Sequence, residues 1–147
     1  MKLLAAKGDG FRAWSDAEIE KFEARWPVGS RERLALAILL YTGLRRSDAA
    51  RLGPQHVHGG VIVLETEKTG TPVAIPILPE LAEIIAASPT GARSFITNKS
   101  GDPMPKESFG NWFRDACNAA GVTGSAHGLR KAAAAHAANQ EGERAPA

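Results

Sequence analysis

The eight residues Leu34-Ala35-Leu36-Ala37-Ile38-Leu39-Leu40-Tyr41 constrain this chain more than any other segment. Ser30 can cap a helix ahead of them and Gly43 can stop it, and after Arg33 that helix has almost no polar face. A helix apolar on all sides belongs at the centre of a packed domain or in a bilayer. Spanning a bilayer takes roughly 20 apolar residues, so the bilayer is excluded and the segment predicts a buried central helix.

The rest of the chain supplies partners for it. Ser15 and Glu18 form a capping box before Ile19, Phe22 and Trp26, which predicts a first helix over about 16–25 closed by Trp26-Pro27. Ser47 with Asp48 predicts the start of a short third helix ending at Gly53-Pro54, with Arg45 and Arg46 at the junction. From Val57 the apolar period falls to two. Ile62 and Leu64 share one face, Val61 and Val63 the other, and turn chemistry at Gly59-Gly60 and at Lys68-Thr69-Gly70 predicts a three-stranded antiparallel meander over 57–77. Lys68 then sits at a hairpin tip. Pro79 opens a helix with Leu81, Ile84 and Ile85 as its stripe, and Phe95-Ile96 reads as a short extended piece. Phe109, Trp112, Phe113, Ala116, Cys117 and Ala120 mark an amphipathic helix, the aromatic residues at core spacing. A last helix begins near His127-Gly128 and runs through an Ala-rich stretch to about Asn139.

Helices, a small sheet and more helices predict an α+β fold, mostly helical, in one domain. A chain of 147 residues with 44% hydrophobic and 23% charged residues has the material for one such core. We divide it into a short lead (1–14), a domain (15–140) and a polar tail (141–147). The single cysteine, Cys117, excludes an internal disulfide and fits a reducing cytoplasm. The first residues are too short an apolar run for a signal peptide. His56 and His58 are a lone His-x-His without clustered Cys, Asp or Glu, and no metal or other cofactor is expected. His136 reads as structural or exposed. A formal charge of +2 permits a polyanionic partner without demanding one, so local geometry has to decide.

Four groups carry chemistry. Arg45 lies at a helix junction, Lys68 at a hairpin tip, and His127 and Arg130 three residues apart on one helical face. Two guanidiniums, an ammonium and an imidazole suit a phosphodiester, whose non-bridging oxygens gain charge in the transition state. A protonated lysine can hand its proton to a departing alkoxide. Each group also has an ordinary explanation: Arg45 capping the second helix or pairing with Asp48, Lys68 as solvated turn chemistry, His127 as a plain helix-start residue. Arg46, Arg51, Lys99, Lys106 and Arg114 are further solvated charges able to meet phosphates.

Taken together, these residues resemble three motifs of the tyrosine recombinases, or phage integrases. Tyr41-Thr42-Gly43-Leu44-Arg45-Arg46-Ser47-Asp48 followed by Leu52 is similar to the first-arginine motif. Lys68-Thr69-Gly70 leading to Ile75-Pro76-Ile77 is similar to the hairpin lysine motif, and His127-Gly128-Leu129-Arg130 to the His-x-x-Arg box. The resemblance implies an integrase-like catalytic domain, with double-stranded DNA as partner and no cofactor. It implies that Arg45 and Arg130 hold the scissile phosphate, that Lys68 protonates the leaving 5′ oxygen, and that His127 assists. In the family a tyrosine attacks and forms a 3′-phosphotyrosyl bond.

The resemblance stops after Arg130. Residues 131–147 contain neither the family's Gly-His or Gly-Trp box nor a tyrosine, and the only tyrosine, Tyr41, lies on the apolar second helix. Residues 1–14 cannot form the helical clamp that precedes this domain in the family. The chain therefore reads as a catalytic domain short at both ends, with core surface exposed on the second helix and the Ala-rich last one. Three functions stay open: a recombination protein completed by a tyrosine from full-length protomers, a non-catalytic DNA-binding or interfering subunit, or an inert truncated remnant.

Overall fold

The computed structural model describes residues 13–133. Helix α1 (Asp16–Arg25) starts with the expected capping box: the Ser15 hydroxyl accepts Glu18 N at 3.2 Å, and a Glu18 carboxylate oxygen accepts Ser15 N at 2.9 Å. Its last carbonyls are satisfied from the next helix, since Arg33 Nη1 donates to Glu23 O and Trp26 O. Helix α2 (Arg31–Thr42) follows, with Ser30 Oγ accepting Arg33 N. Every residue from Leu34 to Leu40 is buried. The exposed core surface expected on this helix is therefore absent: α3 (Arg46–Arg51), α4 (Pro79–Ala87) and α5 (Lys106–Ala119) all pack against α2.

Helix α3 begins two residues earlier than the sequence predicts. Arg45, not Ser47, stands at the capping position, in extended backbone and with no side-chain cap. Asp48 has been recruited elsewhere, as described below. A 3-10 turn (Pro54–His56) leads into β1 (Val57–His58), β2 (Val61–Glu65) and β3 (Pro72–Pro76), paired antiparallel in that order. The register sets Ile62 against Ile75 and Leu64 against Val73. Ile62 and Leu64 are buried while Val63 and Glu65 face solvent, the alternation of a sheet with one covered face.

After α4 the chain runs through a buried but irregular segment. Phe95 N donates to Leu52 O, and Thr97 forms an isolated bridge with Pro103. The extended piece predicted at Phe95-Ile96 is thus not a strand. Helix α5 buries Phe109, Phe113, Ala116 and Cys117, with Trp112 half-buried. Trp14 and Phe22 join these rings, with Phe22 and Phe113 centroids 5.4 Å apart. A final helix, α6, starts at residue 126 and is described to residue 133. Ser125 caps it, its hydroxyl accepting Gly128 N at 3.1 Å. The fold is α+β, mostly helical with a small antiparallel sheet. The rest of the Ala-rich helix, His136, most of the lead and the tail lie outside the described residues. Among the described residues no helix is long and apolar enough to cross a membrane.

Candidate functional site

Arg45 is placed by the end of α2. The chain must turn sharply there, and Gly43 takes a left-handed conformation (φ 72°) that a residue with a Cβ adopts only with strain. Thr42 Oγ1 donates to Ile38 O and accepts Leu44 N, which ties the turn back to the helix. Leu44 is buried, so the next residue, Arg45, points outward from a rigid junction.

The same turn places Arg130. Gly43 presents its carbonyl oxygen to Arg130 Nε at 2.8 Å, across 87 positions of sequence. That bond fixes the guanidinium from behind, and among the described residues nothing else accepts a hydrogen bond from it. Burial and then the nearby Arg45 charge hold the Arg130 pKa below its ordinary value, with Asp48 opposing them. His127 enters from the first turn of the same helix α6. Its position depends on the aromatic core, because Trp14 Nε1 donates to Ser125 O at 3.0 Å and Ser125 caps the helix.

Lys68 lies in the turn between β2 and β3, and that turn is bolted down on two sides. Asp48, 1% exposed, accepts Glu67 N at 2.9 Å and a fork of bonds from Arg51 at 2.8 and 3.1 Å. Arg51 also donates to Glu65 O. From the other side Lys106, the first residue of α5, pairs with Glu67 at 3.0 Å. This pair, ahead of its Coulomb attraction, draws the Glu67 carboxyl below the usual carboxylate range. Asp48 therefore pairs with Arg51 rather than Arg45, and Arg45 keeps no ion-pair partner among the described residues.

Arg45, Lys68, His127 and Arg130, from three separate stretches of the chain, line one cleft of about 990 Å³. Arg46, Lys106 and Arg114 line it too, against two carboxylates, Glu67 and Glu107. Of the five accessory cations singled out in the sequence, Lys99 lies away from the cleft and Arg51 is committed to Asp48 and Glu65. The sequence reading missed the supports: Asp48, Glu67 and Lys106 around the hairpin, Ser125 as the cap, and the Gly43 carbonyl. Ser125 alone carried a local signal, a capping residue just ahead of the expected helix.

Tyr41 does not line the cleft. It is half-buried, and burial followed by the Glu23 and Glu80 charges raises its pKa, with Arg33 opposing. Those charges stand on α1, α4 and α2, none of them a cleft residue. His56 is equally occupied: its Nδ1 accepts Gly53 N, and burial lowers its pKa. Among the described residues no three metal-ligating side chains gather at one point.

The fold recurs in known proteins. The catalytic core of lambda integrase matches with a TM-score of 0.72 at 21% identity, over 88% of this chain and 84% of that one. A lambda integrase dimer bound to a COC' core site matches with a TM-score of 0.75 at 21% identity, over 88% of this chain and 51% of the other. The XerA recombinase matches with a TM-score of 0.71 at 16% identity, over 88% and 50%. The chain thus spans about half the length of these two longer proteins. A comparison with curated proteins found no match. At such identities the structures establish the fold, and the family rests on a separate finding: the model of the phage integrase family matches residues 17–144. A match over that span, on the integrase catalytic fold, means that this chain belongs to the phage integrase family.

Proposed function

We propose that this chain is a DNA-phosphate-binding catalytic domain of a site-specific recombination system, and that it grips the scissile phosphate without supplying the attacking hydroxyl. The observation that carries the reading is the convergence of Arg45, Lys68, His127 and Arg130 on one cleft. Arg45 and Arg130 suit the two non-bridging oxygens, because both line the cleft and, beyond the Arg130 Nε bond to Gly43 O, their donors have no acceptor among the described residues. In the family's reaction a tyrosine oxygen bonds to phosphorus as the bond to the 5′ oxygen breaks. Lys68 Nζ would give its proton to that leaving oxygen, and His127 would assist proton transfer and phosphate binding.

These 147 residues hold no second tyrosine and Tyr41 does not line the cleft, so in this reading the tyrosine comes from elsewhere. A full-length protomer is the natural source. The lambda integrase dimer on its core site gives a precedent for two protomers on one DNA. The domain limits 15–140 fit this role, the family match covering nearly the same residues.

A nicked suicide duplex, which traps phosphotyrosyl intermediates, tests the proposal. The chain alone should bind the duplex in a salt-sensitive way and form no covalent adduct. Adding a full-length relative should give adduct on sites that this chain shares, lost with Arg45→Ala or Arg130→Ala. Adduct from the chain alone overturns the missing-hydroxyl reading. Binding that never leads to adduct favours the non-catalytic, interfering subunit, and absence of any binding removes the DNA function.

A further inference from the structure

Arg46 follows Arg45 directly but rests on a different neighbour. It is exposed, lines the cleft, and lays its side chain across Gly110 in the middle of α5. A Cβ placed on Gly110 would stand 3.2 Å from Arg46 Nη1, 3.5 Å from Cδ and 3.7 Å from Cζ. Glycine inside a helix is unfavourable relative to alanine, and the Gly110 backbone is not in the left-handed region that would call for it. What the missing side chain provides is room. The notch seats a long, rotamer-rich side chain that would otherwise have to be ordered on binding.

The seated guanidinium has no hydrogen-bond or ion-pair partner among the described residues. Of the two carboxylates in the cleft, Glu67 is engaged by Lys106. An oriented cation beside Arg45, Lys68 and Arg130 calls for an anion from outside. We propose that Arg46, held in the Gly110 notch, binds a second backbone phosphate of the DNA, next to the one gripped by Arg45 and Arg130. The inference rests on the DNA reading above and adds a subsite to it. Arg45 and Arg46 line the same cleft, and a DNA strand brings a series of phosphates past it. A phosphate contact of this kind adds affinity without reading sequence.

The test is fluorescence anisotropy with the full chain on a labelled duplex of about 30 base pairs, titrated from about 50 to 200 mM salt. Arg46→Ala should weaken binding several-fold at low salt and reduce the slope of log affinity against log salt by about 0.9, equally for unrelated sequences. Arg46→Lys should restore most of the slope. Gly110→Leu, which fills the notch with a good helix former, should weaken binding without lowering the melting temperature. Added to Arg46→Ala, it should cost nothing further. Wild-type affinity and slope in Arg46→Ala, while Arg45→Ala loses binding, overturn the subsite and leave the proposed function standing. Unchanged binding in both variants, or no duplex binding by the parent chain, overturns both. Additive losses from Gly110→Leu and Arg46→Ala overturn the seat.

Discussion

The two faces of α5 follow opposite rules. One face carries Phe109, Phe113, Ala116 and Cys117, all buried, with Phe113 lying 5.4 Å from Phe22, 6.1 Å from Phe109 and 6.2 Å from Trp14 between ring centroids. Each of these groups is satisfied by its neighbours, so the face contributes stability and nothing else. Burial there pushes the Cys117 thiol up to about 12, keeping it protonated and unreactive. The other face carries Lys106, Glu107, Gly110, Asn111 and Arg114 along the cleft, where cations crowd together and Arg45, Arg46 and Arg130 lack acidic partners among the described residues. Crowding like charges costs free energy that only a bound anion returns. The contrast separates what holds the domain together from what readies it for a ligand.

The comparison breaks most easily on the aromatic side. Phe113→Ala should cost about 3–5 kcal/mol in urea unfolding, since its ring touches three others and the site cannot collapse without moving α1. A loss below about 1 kcal/mol would mean that this face is not the source of stability. The next largest effect belongs to the seam between the faces. Asp48→Ala leaves Glu67 N and the Arg51 fork without their acceptor and should cost about 2–3 kcal/mol. Because that bond also locates the hairpin carrying Lys68, DNA binding should fall in the same variant. Asp48→Asn, which keeps an oxygen for Glu67 N, should lose less on both measures. Equal losses in the two variants would show that charge rather than the shared acceptor joins α3 to the hairpin.

Local pattern made the framework of the domain readable. The capping box at Ser15 and Glu18, the apolar block from Leu34 to Leu40 and the alternation around Ile62 and Leu64 are written within a few residues, and each appears where that spacing puts it. The four residues proposed for the site stood out in the sequence only as a set of motifs in order, and the structure brings them to one cleft. Their supports did not stand out. Asp48 meets Glu67 across 19 positions, Gly43 meets Arg130 across 87, and Trp14 meets Ser125 across 111. No periodicity encodes such pairs, because each is created by the packing of whole elements. The early start of α3 has the same origin: Asp48 reads locally as a helix-start residue, but the hairpin claims it.

The smallest effect is the one of opposite sign. If the cleft is strained by its own charges, Arg45→Ala should leave stability unchanged or raise it by about 0.5 kcal/mol, while DNA affinity drops about tenfold. Arg45 is the second cause, after burial, of the lowered Arg130 pKa, so its removal should move that value back toward the ordinary range. Salt separates this from a packing effect. Screening weakens repulsion between part-exposed charges, so the melting temperature of the parent chain should rise from about 10 to 200 mM salt, and that of Arg45→Ala should rise less. A variant that loses more than about 1 kcal/mol at every salt concentration would place Arg45 among the residues holding the fold. The division between the two faces of the domain would then fail at the residue on which the proposed phosphate grip most depends.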